Sequence, residues 1–143
     1  FMLKEILSIS GKPGLYKMIS QGKNMIVVES LQDGKRVPAY TKDKVVSLGD
    51  IAIYTNTEEI PLGQVFENIS KKENGSVCPI DPKADNNILR KYMEEVLPDF
   101  DRDRVYPSDM RKMFAWYNIL INNGITVFLS KEEDKPAEEA VAK

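Results

Sequence analysis

An α+β fold is predicted, with strands leading and helices following. Two observations carry this. Short β-branched runs, punctuated by glycine- and proline-bearing turns, fill the stretch up to Thr55. From Pro61 onward the apolar residues recur at i, i+3, i+4 and i+7 instead, which is the stripe of an amphipathic helix. Apolar residues make up 42% and charged residues 29% of the 143-residue chain, a globular composition.

Residues 3–9 suit a strand or a helical turn equally, because their apolar period fits both. Gly11-Lys12-Pro13-Gly14 signals a turn, and residues 15–20 form a short strand. Gln21-Gly22-Lys23 is a tight connection into residues 25–31, which are β-branched. Asp33-Gly34 fits a hairpin turn, where glycine takes positive φ without a Cβ clash. Residues 36–40 return as a strand, and Pro38, lacking an N–H, assigns it to an edge or a bulge. Residues 45–55 read as one bent strand or two short ones, with Gly49-Asp50 at the bend. About five short strands in so little chain predict a small, strongly curved barrel of the SH3-like kind.

Pro61 suits a first helical position, and Leu62, Val65, Phe66 and Ile69 form the buried stripe behind it. Residues 73–83, with Asn74-Gly75, Cys78-Pro79 and Asp81-Pro82, read as a linker. A second helix is expected over about 85–97, capped by Asp85 or Asn86, with Ile88, Leu89, Tyr92, Met93, Val96 and Leu97 on its apolar face. A third starts at an N-cap Ser108 and presents Met110, Met113, Phe114, Tyr117, Leu120 and Ile121 before Asn122-Asn123-Gly124 ends it. Residues 125–129 suit a short strand or packed coil. The expected organisation is therefore a barrel with a closing helix over 2–72, a linker over 73–83, a helical unit over 84–130 and a charged, flexible tail over 131–143.

The chain has no histidine and one cysteine, Cys78. Ser-His and Cys-His nucleophile pairs, paired-thiol metal sites and intramolecular disulfides are excluded. The three Gly-Lys pairs at 11–12, 22–23 and 34–35 lack the following Ser or Thr of a phosphate-binding loop. No apolar run reaches the ~20 residues of a membrane helix, and the N-terminus lacks a secretory leader's apolar stretch, so a cytoplasmic protein without membrane contact is expected.

The stretch Ile9-Ser10-Gly11-Lys12-Pro13-Gly14-Leu15-Tyr16-Lys17, with Glu29-Ser30-Leu31, Asp33-Gly34-Lys35-Arg36, Ile51-Ala52-Ile53-Tyr54-Thr55, Pro61-Leu62 and Val65-Phe66, resembles an uncharacterised bacterial family, a domain of unknown function. Trp116-Tyr117 extends the likeness into the helices. The resemblance implies a barrel-plus-helices plan and no activity.

Three functional readings follow. The leading one is a non-enzymatic binding or adaptor protein with a protein partner, without cofactor, metal or catalytic residue; Trp116 and Tyr117 are its candidate helix-face contacts, and a second copy of the chain is an alternative occupant of that face. Another is a module for RNA or single-stranded nucleic acid. Residues 1–44 carry eight basic against four acidic residues, and Lys12, Lys23, Lys35 and Arg36 fall in or beside turns near Tyr16 and Tyr40. The net charge of −2 over the whole chain weighs against it. The last is a metal-assisted enzyme using Asp99, Asp101 and Asp103, spaced like the first ligands of a calcium loop; Arg104 and Met110 occupy that loop's glycine and glutamate positions.

Overall fold

The structure, a computed structural model, describes residues 3–12, 14–40 and 42–129; the expected tail over 131–143 lies outside the described residues. Among the described residues it is an α+β fold: a five-stranded antiparallel sheet, a two-stranded hairpin and three α-helices. Leu3–Glu5 make a 3₁₀ turn that runs directly into β1 (Ile6–Ile9), so the ambiguous opening segment is both turn and strand. Then come β2 (Tyr16–Gly22), β3 (Met25–Ser30), β4 (Arg36–Tyr40) and β5 (Val45–Ser47). A 3₁₀ turn at Leu48–Asp50 separates β5 from β6 (Ala52–Tyr54). Next are β7 (Glu59–Pro61), which the sequence pattern did not predict, α1 (Leu62–Lys72), α2 (Asn86–Val96) and α3 (Pro107–Asn122).

The large sheet has the order β4-β3-β2-β1-β5. It curls enough that Ala39 of β4 packs with Ile9, Tyr16 and Val28, and Val45 of β5 joins the same small cluster. A bulge between Met18 and Ser20 adds to the twist. The closed barrel expected from the strand count is not formed, because no ladder joins β4 to β5 among the described residues. The reason lies in the two edges. Pro38 removes a donor from the middle of β4, the Tyr40 N–H is taken by Asp43 Oδ2 at 2.8 Å, and β5 is only three residues long. Across one face of the sheet Glu29 sits between Lys17 and Arg36, at 3.5 and 3.6 Å.

That same face, through Ile6 opposite Lys17, also meets a larger core. Leu3, Ile6, Leu15 and Leu48 are buried in the same apolar cluster as Val65, Phe66, Leu89, Met93, Met113 and Tyr117, so strands and helices share one interior. Residues 125–129 are packed coil that lays Phe128 against Phe66 and Tyr117, at ring-centroid distances of 5.6 and 5.7 Å. Two helix details differ from the sequence pattern. Ile88 is 48% exposed, because Leu89, Tyr92, Met93 and Val96 alone complete the inward stripe of α2. Ser108 is not the N-cap: α3 starts at Pro107, and the Asp109 carboxylate reaches back to accept from the Tyr106 N–H at 2.9 Å.

Residues 73–83 lie along α3 rather than away from it. Tyr117 donates its hydroxyl to Ser76 O at 2.7 Å, and Asn118 holds both sides of Cys78, accepting from its N–H at 2.7 Å and donating to its carbonyl at 3.2 Å. Asn118→Ala leaves two backbone groups unpaired in a partly buried place. It is expected to cost about 1–3 kcal/mol in a urea melt; a change within experimental error would mean water replaces the amide freely.

Candidate functional site

The two ends of this fold meet at a cleft. One wall is the β1–β2 connection with Ser8, Ile9, Ser10, Gly11, Lys12 and Gly14; the other is α3 with Arg111, Lys112, Ala115, Trp116 and Ile119, and Pro82 closes one side. It encloses about 400 Å³. Local chemistry sets each wall. Gly14 has φ +85°, which side chains rarely allow, and a Cβ there would overlap Gln32 Oε1, so glycine lets this connection lie against the β3–β4 turn. The Lys12 N–H bonds Ile9 O at 3.0 Å, which holds the lysine at the lip. On α3, residues 112, 115, 116 and 119 repeat at helical spacing on a second face, beside the core face of Met110, Met113, Phe114, Tyr117 and Leu120.

Arg111 is fixed by neutral partners. Its Nε donates to Pro82 O at 3.2 Å, and its Nη2 to Ala84 O at 3.1 Å and Asn86 Oδ1 at 3.3 Å. Trp116 and Lys112 also border a second cleft of about 270 Å³ between β6 and α3, where the Arg104 guanidinium lies 4.1 Å from the centre of the Tyr54 ring. Trp116 is therefore a half-buried ridge between two recesses.

The other expected contacts are distributed. Lys35 and Arg36 follow the β3–β4 turn, next to the connection that carries Lys12. Lys23 lies in the β2–β3 turn and Tyr40 at the end of β4 paired with Met25, both at the opposite end of the sheet. Tyr16 is buried in the small sheet cluster, and Tyr117 is fully buried in the main core, so neither ring faces solvent. Only Lys12 and Trp116 of the expected residues share the cleft; Arg111 and Lys112 were missed. Their signal was available: they are the two basic residues of α3, adjacent, and on the turn before Trp116.

The aspartate loop is internally satisfied. Asp101 accepts from Arg104 Nε at 2.9 Å and from the Asp103 N–H at 2.9 Å, and the Arg104 hydrogen bond holds its carboxyl below the usual range. The loop docks on β6, with Asp101 N–H donating to Tyr54 O at 3.0 Å and Asn56 N–H to Asp99 O at 2.9 Å. Among the described residues no group of three or more acidic or thiol side chains is gathered for a metal ion. A second polar cluster lies under α2. The Tyr92 hydroxyl donates to Glu73 Oε2 at 2.7 Å beside the buried Cys78 thiol, and burial pushes both the phenol and the thiol up.

Comparison with known proteins places this geometry. A family model described as a domain of unknown function, DUF5606, matches residues 3–48, and another so described, DUF6852, matches residues 51–120. No curated protein matches. A Bacteroides vulgatus protein, solved by solution NMR as a Northeast Structural Genomics Consortium target, is 59% identical over 95% of this chain and 94% of its own, with a TM-score of 0.76. The chain belongs to that protein's family. The expected tie to an uncharacterised bacterial family is thus met. The boundary between the two matched regions falls at residues 49–50, ahead of α1. Lys12 lies in the first region and Arg111, Lys112 and Trp116 in the second, so in this family member the cleft forms where the two regions face each other. Among the described residues no helix is long and apolar enough to cross a membrane.

Proposed function

We propose that the chain is a non-enzymatic binding protein, and that a protein partner docks in the cleft between the β1–β2 connection and α3. The observation that carries this reading is Trp116, half-buried on the second face of α3 where two recesses meet. A large aromatic side chain held on a rigid helix and left partly open is the usual form of an interface anchor. The nucleic-acid alternative is less well supported, since Lys23 and Tyr40 lie across the sheet from Lys12 and Tyr16 is buried. An SH3-like relationship for the curled sheet and a reducing, cytoplasmic setting for the buried Cys78 belong to the same reading.

The test is retention of partners from an extract of the native cell by immobilised protein. Ala115→Tyr fills the cleft from a half-exposed position. The expected result is a partner held by the wild type and lost with Ala115→Tyr and with Trp116→Ala, the variants keeping the wild-type circular dichroism. Equal retention by all three proteins, or turnover of a metabolite that these substitutions abolish, would overturn the proposal.

A further inference from the structure

We infer that the cleft accepts an extended acidic peptide segment with an apolar anchor residue; this rests on the binding reading above and specifies its ligand. Three cations, Lys12, Arg111 and Lys112, line the cleft, and no Asp or Glu lines it. Lys17 and Arg36 meet Glu29, Lys72 meets Glu95, Arg102 meets Glu94 and Arg104 meets Asp101. Arg111, by contrast, spends Nε and Nη2 on carbonyl and amide oxygens, which orient the guanidinium without neutralising it. Its Nη1 end has no partner among the described residues, and neither Lys12 nor Lys112 has a carboxylate there. A guanidinium fixed in advance forms a charge-assisted bond with little further loss of side-chain freedom.

The floor is apolar. Ile9, Ala115, Trp116 and Ile119 line the cleft together with the cations, and the volume of about 400 Å³ holds one large side chain with its flanking backbone. A ligand matching this surface carries negative charge next to an apolar residue. A peptide does so in a few residues. A nucleic-acid strand instead needs aromatic platforms repeated along a basic groove. Here there is a single indole, and the remaining basic turn, at Lys23, is at the far end of the sheet.

The experiment uses the emission of Trp116, the single tryptophan of the chain. Short peptides in which Asp and Glu flank a central Leu or Phe are titrated into the intact protein. The same peptides with Asn and Gln in place of the acids, a mixed-sequence single-stranded RNA, and inorganic phosphate are titrated in parallel. The expected result is saturable change with the acidic peptides only, weakened about tenfold or more by raising salt from about 0.05 to about 0.5 M. The double variant Lys12→Glu, Lys112→Glu loses it, and Lys23→Glu keeps it. Equal binding of the neutral peptides, tighter binding of RNA, saturation by phosphate alone, persistence in the double variant, or no response to any acidic peptide at millimolar concentration would overturn the inference. If acidic peptides fail while Ala115→Tyr still abolishes capture of a cellular partner, the binding reading stands and the charge assignment falls. If both fail, both fall.

Discussion

Phe66→Ala is expected to lower folding stability by about 3–5 kcal/mol, the usual result of emptying a fully enclosed aromatic site. Phe66 is 0% exposed. Its ring sits 6.2 Å from Tyr117 and 5.6 Å from Phe128, edge-on to the latter. These three rings join α1, α3 and the coil of residues 125–129, so deleting one removes contacts from three segments at once. A domain this size has about 5–15 kcal/mol in total, so the variant should remain folded but melt at a much lower urea concentration with unchanged slope. A loss under about 1 kcal/mol would show that the surroundings collapse into the space.

Gly63→Ala is expected to destabilise as well, against its helix propensity. Alanine gains about 1 kcal/mol over glycine inside a helix. At this position, however, a Cβ would overlap Phe128 O and stand 3.0 Å from Leu129 Cδ2. The obstacle is a backbone carbonyl, which can move only by taking the Phe128 ring with it. Overpacking of this kind costs about 1–3 kcal/mol, and it should outweigh the propensity gain. Gly63→Val should be worse, because it adds bulk at the same contact. Combined with Phe66→Ala, the effects should not add, since both act through Phe128. A stabilising Gly63→Ala would mean that the coil does not rest on α1.

The sequence reading succeeded where one segment's own pattern decides the outcome. The stripe of Leu62, Val65, Phe66 and Ile69, the edge strand marked by Pro38 and the cap at Asp85 all depend on near neighbours, and all appear in the fold. It fell short where the outcome depends on distant chain. Strand number suggested a closed barrel, yet closure needs paired edges, and Pro38 with Asp43 prevents that. Tyr16 looked like a surface aromatic; it pairs opposite Leu7 and Ser30 on the inward face. β7 has only Ile60 to mark it and exists because β6 is beside it. The cleft is the clearest instance. Its walls come from residues 8–14 and 111–119, and nothing in either stretch announces the other.

The shared interior of strands and helices makes the two family regions poor candidates for exchange. A descendant that inherited residues 51–120 alone would lack Leu3, Ile6, Leu15 and Leu48 on the strand side of Phe66 and its neighbours. Heredity should therefore keep both regions in one reading frame, in this order, and recombination between them should be tolerated only when each arrives with a counterpart of matching shape.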